Sequence, residues 1–343
     1  MKKIIMSFLI IFGLVLMAMN TSLQAQATKY GQAGMTFLKI DVGGRTAGMG
    51  GTSVGVVNDA SSMFSNPAGL AGISGLDILL NQTNWIVDIK QYAGAAAYGL
   101  GNWGTFGVSF INMDYGTFTE TWPYEGFDPE LMDKGYIKGN DFTVGEYALG
   151  VAYARQMTNK FSIGGQIKFV KQDLYKTLIW SEFQGKQIWV NNTLGVMAMD
   201  FGTLYYTGFK DLRFGMSMRN FSRQARYALQ RFDLPLTFRI GLAMDVLTLF
   251  EDGKSNNHLT LAVDALHPRD YDERLQVGAE YTFMDILSVR AGYKFRYDEE
   301  SFSAGFGVKK YFGNVGVRLD YAYSNFGKFF GSVHRLSWDF YYK

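Results

Sequence analysis

The feature that most restricts this chain is a period of two. From Leu76 to the C-terminus, apolar and polar residues alternate in one segment after another. This is the mark of strands whose two faces meet different surroundings. Between Leu287 and Tyr297, one face carries Leu287, Val289, Ala291, Tyr293, Phe295 and Tyr297. The other carries Ser288, Arg290, Gly292, Lys294 and Arg296. The same pattern recurs from Leu212 to Arg219, Leu236 to Asp245, Leu275 to Phe283 and Val315 to Tyr323. Such segments number about fourteen, an even count as a closed single-chain barrel requires. The last of them alternates Leu336, Trp338, Phe340 and Tyr342 to a terminal aromatic, with Lys343 one residue beyond.

A soluble barrel turns its apolar face inward, and a membrane barrel turns it toward lipid. The start of the chain helps to decide between them. Lys2 and Lys3 precede the apolar stretch Ile4 to Met19, and Ala25-Gln26-Ala27 then fits a small-residue cleavage site, with cleavage after Ala25 an alternative. The apolar core is short for a membrane anchor, so an exported chain is expected. The polar strand faces carry Arg, Lys, Asp and Glu, and the apolar faces of so many strands exceed what one small barrel interior holds. Lipid is therefore the expected neighbour of the apolar faces. Loss of Lys2 and Lys3 with the leader takes the net charge from +2 to zero, leaving no basic excess for nucleic acid. The chain has no Cys, which removes lipoprotein anchoring, disulfides and thiolate metal sites.

The connections give an independent check, since they should alternate between short periplasmic turns and longer outer loops. Short turns are expected near Leu100–Trp103, Thr158–Lys160, Gly208–Asp211, Asp285–Ile286 and Phe312–Gly313. Long loops are expected at Thr119–Asp141, Leu174–Asn192, Ser222–Asp233, His267–Glu273 and Asn325–Val333. Thr248–Asn257 is a long inner turn, while Asp88–Lys90 and Glu299–Glu300 are short outer ones. Thr119–Asp141 also holds Trp122, Tyr124, Phe127, Leu131 and Met132, a density of apolar residues that suits either a lid or a partner surface.

Residues 31–75 do not alternate. They contain Gly43-Gly44-Arg45-Thr46-Ala47-Gly48-Met49-Gly50-Gly51, followed by Asn58-Asp59-Ala60-Ser61-Ser62 and Asn66-Pro67-Ala68-Gly69-Leu70-Ala71. Asn58 or Asp59 is placed to cap one helical turn ending before Pro67. Irregular backbone of this kind cannot face lipid, because its polar groups would be unsatisfied there. The two glycine-rich blocks resemble the FadL-like outer-membrane proteins, most closely their PorV/PorQ branch. That resemblance implies a fourteen-stranded barrel with the N-terminal segment inserted as a plug on the periplasmic side. Arg45, Gly48, Gly50, Gly51, Asp59, Asn66, Pro67 and Gly69 are its plug motif. For the PorV/PorQ branch it implies an accessory role in type IX secretion, and for other FadL-like proteins passage of hydrophobic molecules.

Other motifs carry less. Gly99-Leu100-Gly101-Asn102-Trp103-Gly104 matches a dinucleotide fingerprint, but alternating strands flank it on both sides, so it reads as a hairpin turn. His258, His267 and His334 lack metal-ligand spacing, and no nucleophile elbow or Ser-His-Asp order is present. Trp85, Trp103, Tyr311 and Trp338 are read as residues of the membrane-interface girdle. The lumen-facing charges Arg213, Arg219, Arg239, Glu280, Arg290, Arg296, Arg318 and Asp320, with Lys294, Arg335, Asp245, Asp264 and Asp339, form a network that fills the bore or lines a polar conduit. The expectation is an all-β transmembrane antiparallel barrel. Residues 1–27 are the leader, 28–75 the plug and 76–343 the barrel. It needs no cofactor or metal, is monomeric and non-catalytic, and sits in outer-membrane lipid. Its outer loops are available to secretion components or cargo.

Overall fold

The computed structural model describes residues 31–123, 129–181, 185–227, 230–250 and 256–342. The leader 1–27, the loop residues Tyr124 and Phe127, and Lys343 lie outside the described residues. Among the described residues, fourteen strands close into one antiparallel barrel. In chain order they begin with β1 (Gly75–Asn84), β2 (Lys90–Gly99), β3 (Thr105–Pro123), β4 (Tyr136–Thr158), β5 (Phe161–Ser181), β6 (Lys186–Tyr206) and β7 (Arg213–Ser222). A separate two-stranded ribbon, β8 (Ala225–Tyr227) with β9 (Gln230–Phe232), follows. The barrel then resumes with β10 (Thr237–Asp245), β11 (His258–Pro268), β12 (Arg274–Phe283), β13 (Leu287–Phe295), β14 (Phe302–Phe312), β15 (Val315–Asn325) and β16 (Ser332–Tyr342). Closure comes from β1 on β16, in register from Leu76 opposite Tyr342 to Asn84 opposite His334.

The alternation resolves as expected for lipid. On β13, Leu287, Val289, Ala291 and Tyr293 are exposed, while Ser288, Arg290, Gly292 and Lys294 are buried. On β15 and β16 the buried positions include Arg318, Asp320, Arg335, Ser337 and Asp339. The charged face thus points into the barrel and the apolar face out. Ten of the fourteen strands are 9–11 residues long, the length that crosses a bilayer when tilted.

The other four strands correct the sequence reading. β3, β4, β5 and β6 run for 19, 23, 21 and 21 residues. Both ends of the expected loop Thr119–Asp141 and most of the expected loop Leu174–Asn192 are therefore strand, projecting roughly 30 Å beyond the membrane-crossing part at the usual rise per residue. Backbone pairing between β4 and β5 stops at Gly145 opposite Asp173. Above that point the two ribbons meet through rings: Phe142, itself stacked on Phe118 of its own ribbon at 5.7 Å, stacks on Tyr175 at 4.6 Å, and Trp122 meets Trp189 edge-on at 6.0 Å. The alternation weakens here because both faces of each ribbon lie beyond the hydrocarbon.

Three smaller corrections follow from strand ends. β13 stops at Phe295, and Arg296 takes a left-handed φ of 62°. This turns Tyr297 inward, where its hydroxyl accepts from Gln276 Nε2 at 2.8 Å, and leaves Arg296 exposed rather than lumenal. Trp85 faces the barrel mouth against Phe326 at 5.0 Å instead of joining a girdle. Trp103 and Tyr311, by contrast, are exposed at the end of the barrel that carries the termini of β1 and β16.

An arginine placed on the outward face should separate this facing from its reverse. Ala291→Arg or Leu319→Arg is expected to lose about 2–4 kcal/mol of membrane stability. Ser288→Thr, on the inward face of the same strand, should fold normally. Heat-modifiable gel mobility after refolding into vesicles reads both.

Candidate functional site

The site is the bore itself, built by residues 33–74 against the inward strand faces. Ala33 bridges Asp233 at the hairpin end of the barrel, and Gly34 N donates to Asp233 O at 3.0 Å. The segment then crosses to the other end, where Gly75 opens β1. It thus runs the length of the barrel rather than capping one end. Short helical turns carry it: Gly44–Gly48, Ala60–Phe64 and Pro67–Gly72. Asp59 caps the second of these through Ser61 N at 3.0 Å, and Asn66 caps the third through Ala68 N at 3.2 Å.

Ion pairs fix this path on one side. Lys39 meets Asp270 at 2.7 Å near the mouth. Asp41 lies 2.8 Å from Lys294 and 3.8 Å from Arg239. Arg45 reaches Glu280 at 2.8 Å, and Glu280 also accepts from Arg290. Arg290 binds Asp320 at 2.7 Å. Arg318 gathers Asp59, Asp320 and Asp339 at 2.8, 2.8 and 3.0 Å. Burial pushes the Asp59 carboxyl up, but Arg318 and Arg45 outweigh it and hold the group down at about 2. Burial likewise opposes the charged form of Asp41, and Lys294 with Arg239 depresses it all the same. Because the Asp59 carboxyl is depressed, the stability it contributes is complete above the ordinary Asp range and is lost as pH falls toward 2.

Along β1 to β6 the bore carries an apolar sector beside buried polar groups such as Gln91, Gln166 and the Lys168–Asp200 pair. Leu79, Ala93, Ala95, Ala97, Ile111, Met113, Ala148, Ala152, Ala154, Val170 and Ala198 point inward from β1 to β6. They form one buried cluster with Phe37, Leu38, Met63, Phe64 and Leu70 of the segment. The sequence predicts charged lumenal faces but no apolar sector; the small alanines on the inward faces of β2, β4 and β6 are the signal for it.

Inward glycines let the segment's backbone touch the wall. A Cβ on Gly292 would fall 2.1 Å from Gly50 N, on Gly278 2.3 Å from Met49 O, and on Gly215 2.3 Å from Val54 O. On Gly164 it would meet Pro67 C at 2.4 Å, and on Gly202 Asn66 Oδ1 at 1.9 Å. Gly50 also needs its φ of +70°. Gly48 faces Gly305, and Gly69 sits against Val57 O and Ser62. Asn66 Nδ2 donates to Val54 O at 2.8 Å and to Thr203 O at 3.0 Å.

Of the expected network, Glu280, Arg290, Arg318 and Asp320 converge as one cluster with Arg45 and Asp59 of the segment. Arg239 bonds Gly51 O at 3.4 Å, and Arg219 bonds Leu38 O at 3.3 Å. Arg213 pairs instead with Asp211 at the rim, at 3.3 Å. Asp245 caps a turn at the barrel's terminal end and meets His258 at 2.6 Å, apart from that cluster. Asp41, Lys39 and the buried pair Lys168–Asp200 at 2.8 Å were not anticipated. Asp41 could have been found as the acid two residues before the glycine-rich run.

Two measurements follow. Arg318→Met removes the guanidinium shared by Asp59, Asp320 and Asp339 and leaves buried Asp339 without its ion-pair partner, which should cost about 3–5 kcal/mol in urea unfolding, whereas Lys39→Met at the rim should cost much less. The chain lacks Cys, so single thiols report the segment's direction. The thiol of Gln32→Cys should react with an impermeant maleimide on whole cells. That of Ser74→Cys should react only after the outer membrane is permeabilised.

Comparison with known proteins agrees with this architecture. The Ralstonia pickettii toluene transporter TbuX is similar in fold, with a TM-score of 0.56 at 14% identity, covering 88% of this chain and 98% of that one. The CymD monoaromatic hydrocarbon channel gives 0.55 at 13%, covering 90% and 97%. A Pseudomonas aeruginosa FadL homologue gives 0.53 at 14%, covering 88% and 98%. No curated protein matches the chain. The model of an uncharacterised protein family, UPF0164, matches residues 13–177. The model of the type IX secretion system membrane protein PorP/SprF matches residues 135–340, more than half of the chain. This is a different family from the PorV/PorQ branch that the glycine-rich motifs resemble, while the FadL-like barrel stands. The chain is an outer-membrane β-barrel and belongs to the PorP/SprF family of type IX secretion system membrane proteins.

Proposed function

We propose that this barrel is a non-catalytic component of type IX protein secretion whose bore is sealed by residues 28–75. The family match over residues 135–340 carries the reading. The geometry supports it, because a segment pinned by Asp41–Lys294, Arg45–Glu280 and Asp59–Arg318 occupies the space a conduit would need. Residues 1–27 act as the leader and 76–343 as the barrel. The barrel works as a monomer in outer-membrane lipid, without cofactor, metal or nucleic acid. Its ribbons β3–β4 and β5–β6 are the surface offered to secretion components or to cargo. A narrower role of PorV/PorQ type, handling cargo at the cell surface, rests on the two glycine-rich blocks of the N-terminal segment.

Passive transport of small hydrophobic molecules is the second reading. It is favoured by the apolar sector along β1 to β6 and by the fold shared with TbuX and CymD.

Purified protein in planar bilayers should conduct little, and deleting Gly31–Ala71 should open a channel or abolish folding. Pull-down from detergent-solubilised outer membrane should recover secretion-system components. High steady conductance of the intact protein, unchanged in a folded deletion variant, would transfer the assignment to transport.

A further inference from the structure

The outer wall holds a cavity that the bore does not explain. It measures about 500 Å³ and lies on the lipid side of β5, β6, β7 and β10, lined by Tyr153, Ile163, Phe201, Met216, Met218 and Phe238. Two local features make it. The first is a bulge where Met199 pairs with Phe221 but Phe201 pairs with Met218, so that β7 carries one residue more than β6. Asn220 takes a φ of 62° there and turns inward, accepting from Lys168 at 2.6 Å. Bulges re-aim side chains and open the ladder locally.

The second feature is Gly165, which stands on the outward face of β5 between exposed Ile163 and Ile167. The glycines beside it on the inward face are there because the lumen segment touches them. Gly165 is different. Its backbone does not need glycine, and an added Cβ would meet only Asp200 O at 3.7 Å and Phe201 Cδ1 at 3.9 Å, both ordinary contacts. Glycine weakens a strand interior, and here neither conformation nor packing calls for it. Its one structural consequence is the open groove.

We propose that this groove holds one acyl chain of a membrane lipid. Its size falls in the range of small-ligand sites. Hydrocarbon surrounds it, and an unfilled void of this size forfeits dispersion contacts along its whole lining. Water is a poor occupant because an apolar lining offers few hydrogen-bond partners. Met216 and Met218 have unbranched, adaptable side chains that can follow a flexible chain. The site is separate from the bore: Asn66 and Pro67 back the wall from inside at Gly202 and Gly164.

Photolabelling tests it, using phosphatidylethanolamine with a diazirine on its acyl chain, diluted into dioleoyl phosphatidylcholine vesicles around the refolded full barrel. Adducts should concentrate on the peptide containing Met216 and Met218. Gly165→Leu should reduce them severalfold, whereas Val289→Phe, elsewhere on the belt, should not. Heat-modifiable mobility confirms that each variant is folded. Should Gly165→Leu fail to fold, Thr203→Leu narrows the same groove from β6. Labelling spread evenly around the belt, or unchanged in the folded filling variant, overturns the proposal. So does a photoreactive side chain at position 218 that captures a protein instead of lipid in whole cells.

Discussion

In hydrocarbon, no backbone N–H or C=O can be left to solvent, and the rest of this structure follows from that constraint. A strand crossing the membrane needs a hydrogen-bonded neighbour on both sides, so the sheet must close, and β1 on β16 closes it. Closure fixes the two faces of every strand. It also creates an interior that water alone would fill unless the chain provides something else. Residues 33–74 pack against the inward strand faces, and their irregular backbone is permissible only because the wall shields it from lipid.

The interior is held by two kinds of force on two sides. Along β12 to β16, guanidiniums and carboxylates interlock, with Arg318 and Arg290 each shared between partners. Buried ion pairs of this kind add little net stability compared with apolar packing, but breaking one member is costly. They therefore specify where the segment lies more than they drive it there. Along β1 to β6 the driving force is apolar burial, with alanines leaving room for Phe37, Met63, Phe64 and Leu70. The combination gives both cohesion and a single register.

The glycines connect these levels. Where Gly292 meets Gly50, and Gly164 meets Pro67, a single methyl group on the wall would displace the segment's backbone. Two surfaces built of main chain can approach this closely only when side chains are absent from both. The same residue type on the outer face at Gly165 has no such neighbour, and a space facing lipid results.

The strand number and the outward turn of the apolar faces were legible in the sequence, because period two is imposed locally by each strand's two environments. The capping role of Asp59 was partly legible for the same reason: a cap is a contact within a few residues. The carboxylate partner of Arg45, the reach of Asp41 to Lys294 and the apolar sector of the bore were not. Each joins residues that only barrel closure brings together, and an inward alanine looks the same in sequence whether it faces water or a phenylalanine. The long ribbons were hidden because alternation fades once both faces of a strand leave the membrane. Sequence therefore determined which residues face lipid, through a local rule. The tertiary structure alone decided what fills the bore, because that depends on which distant strands stand opposite one another.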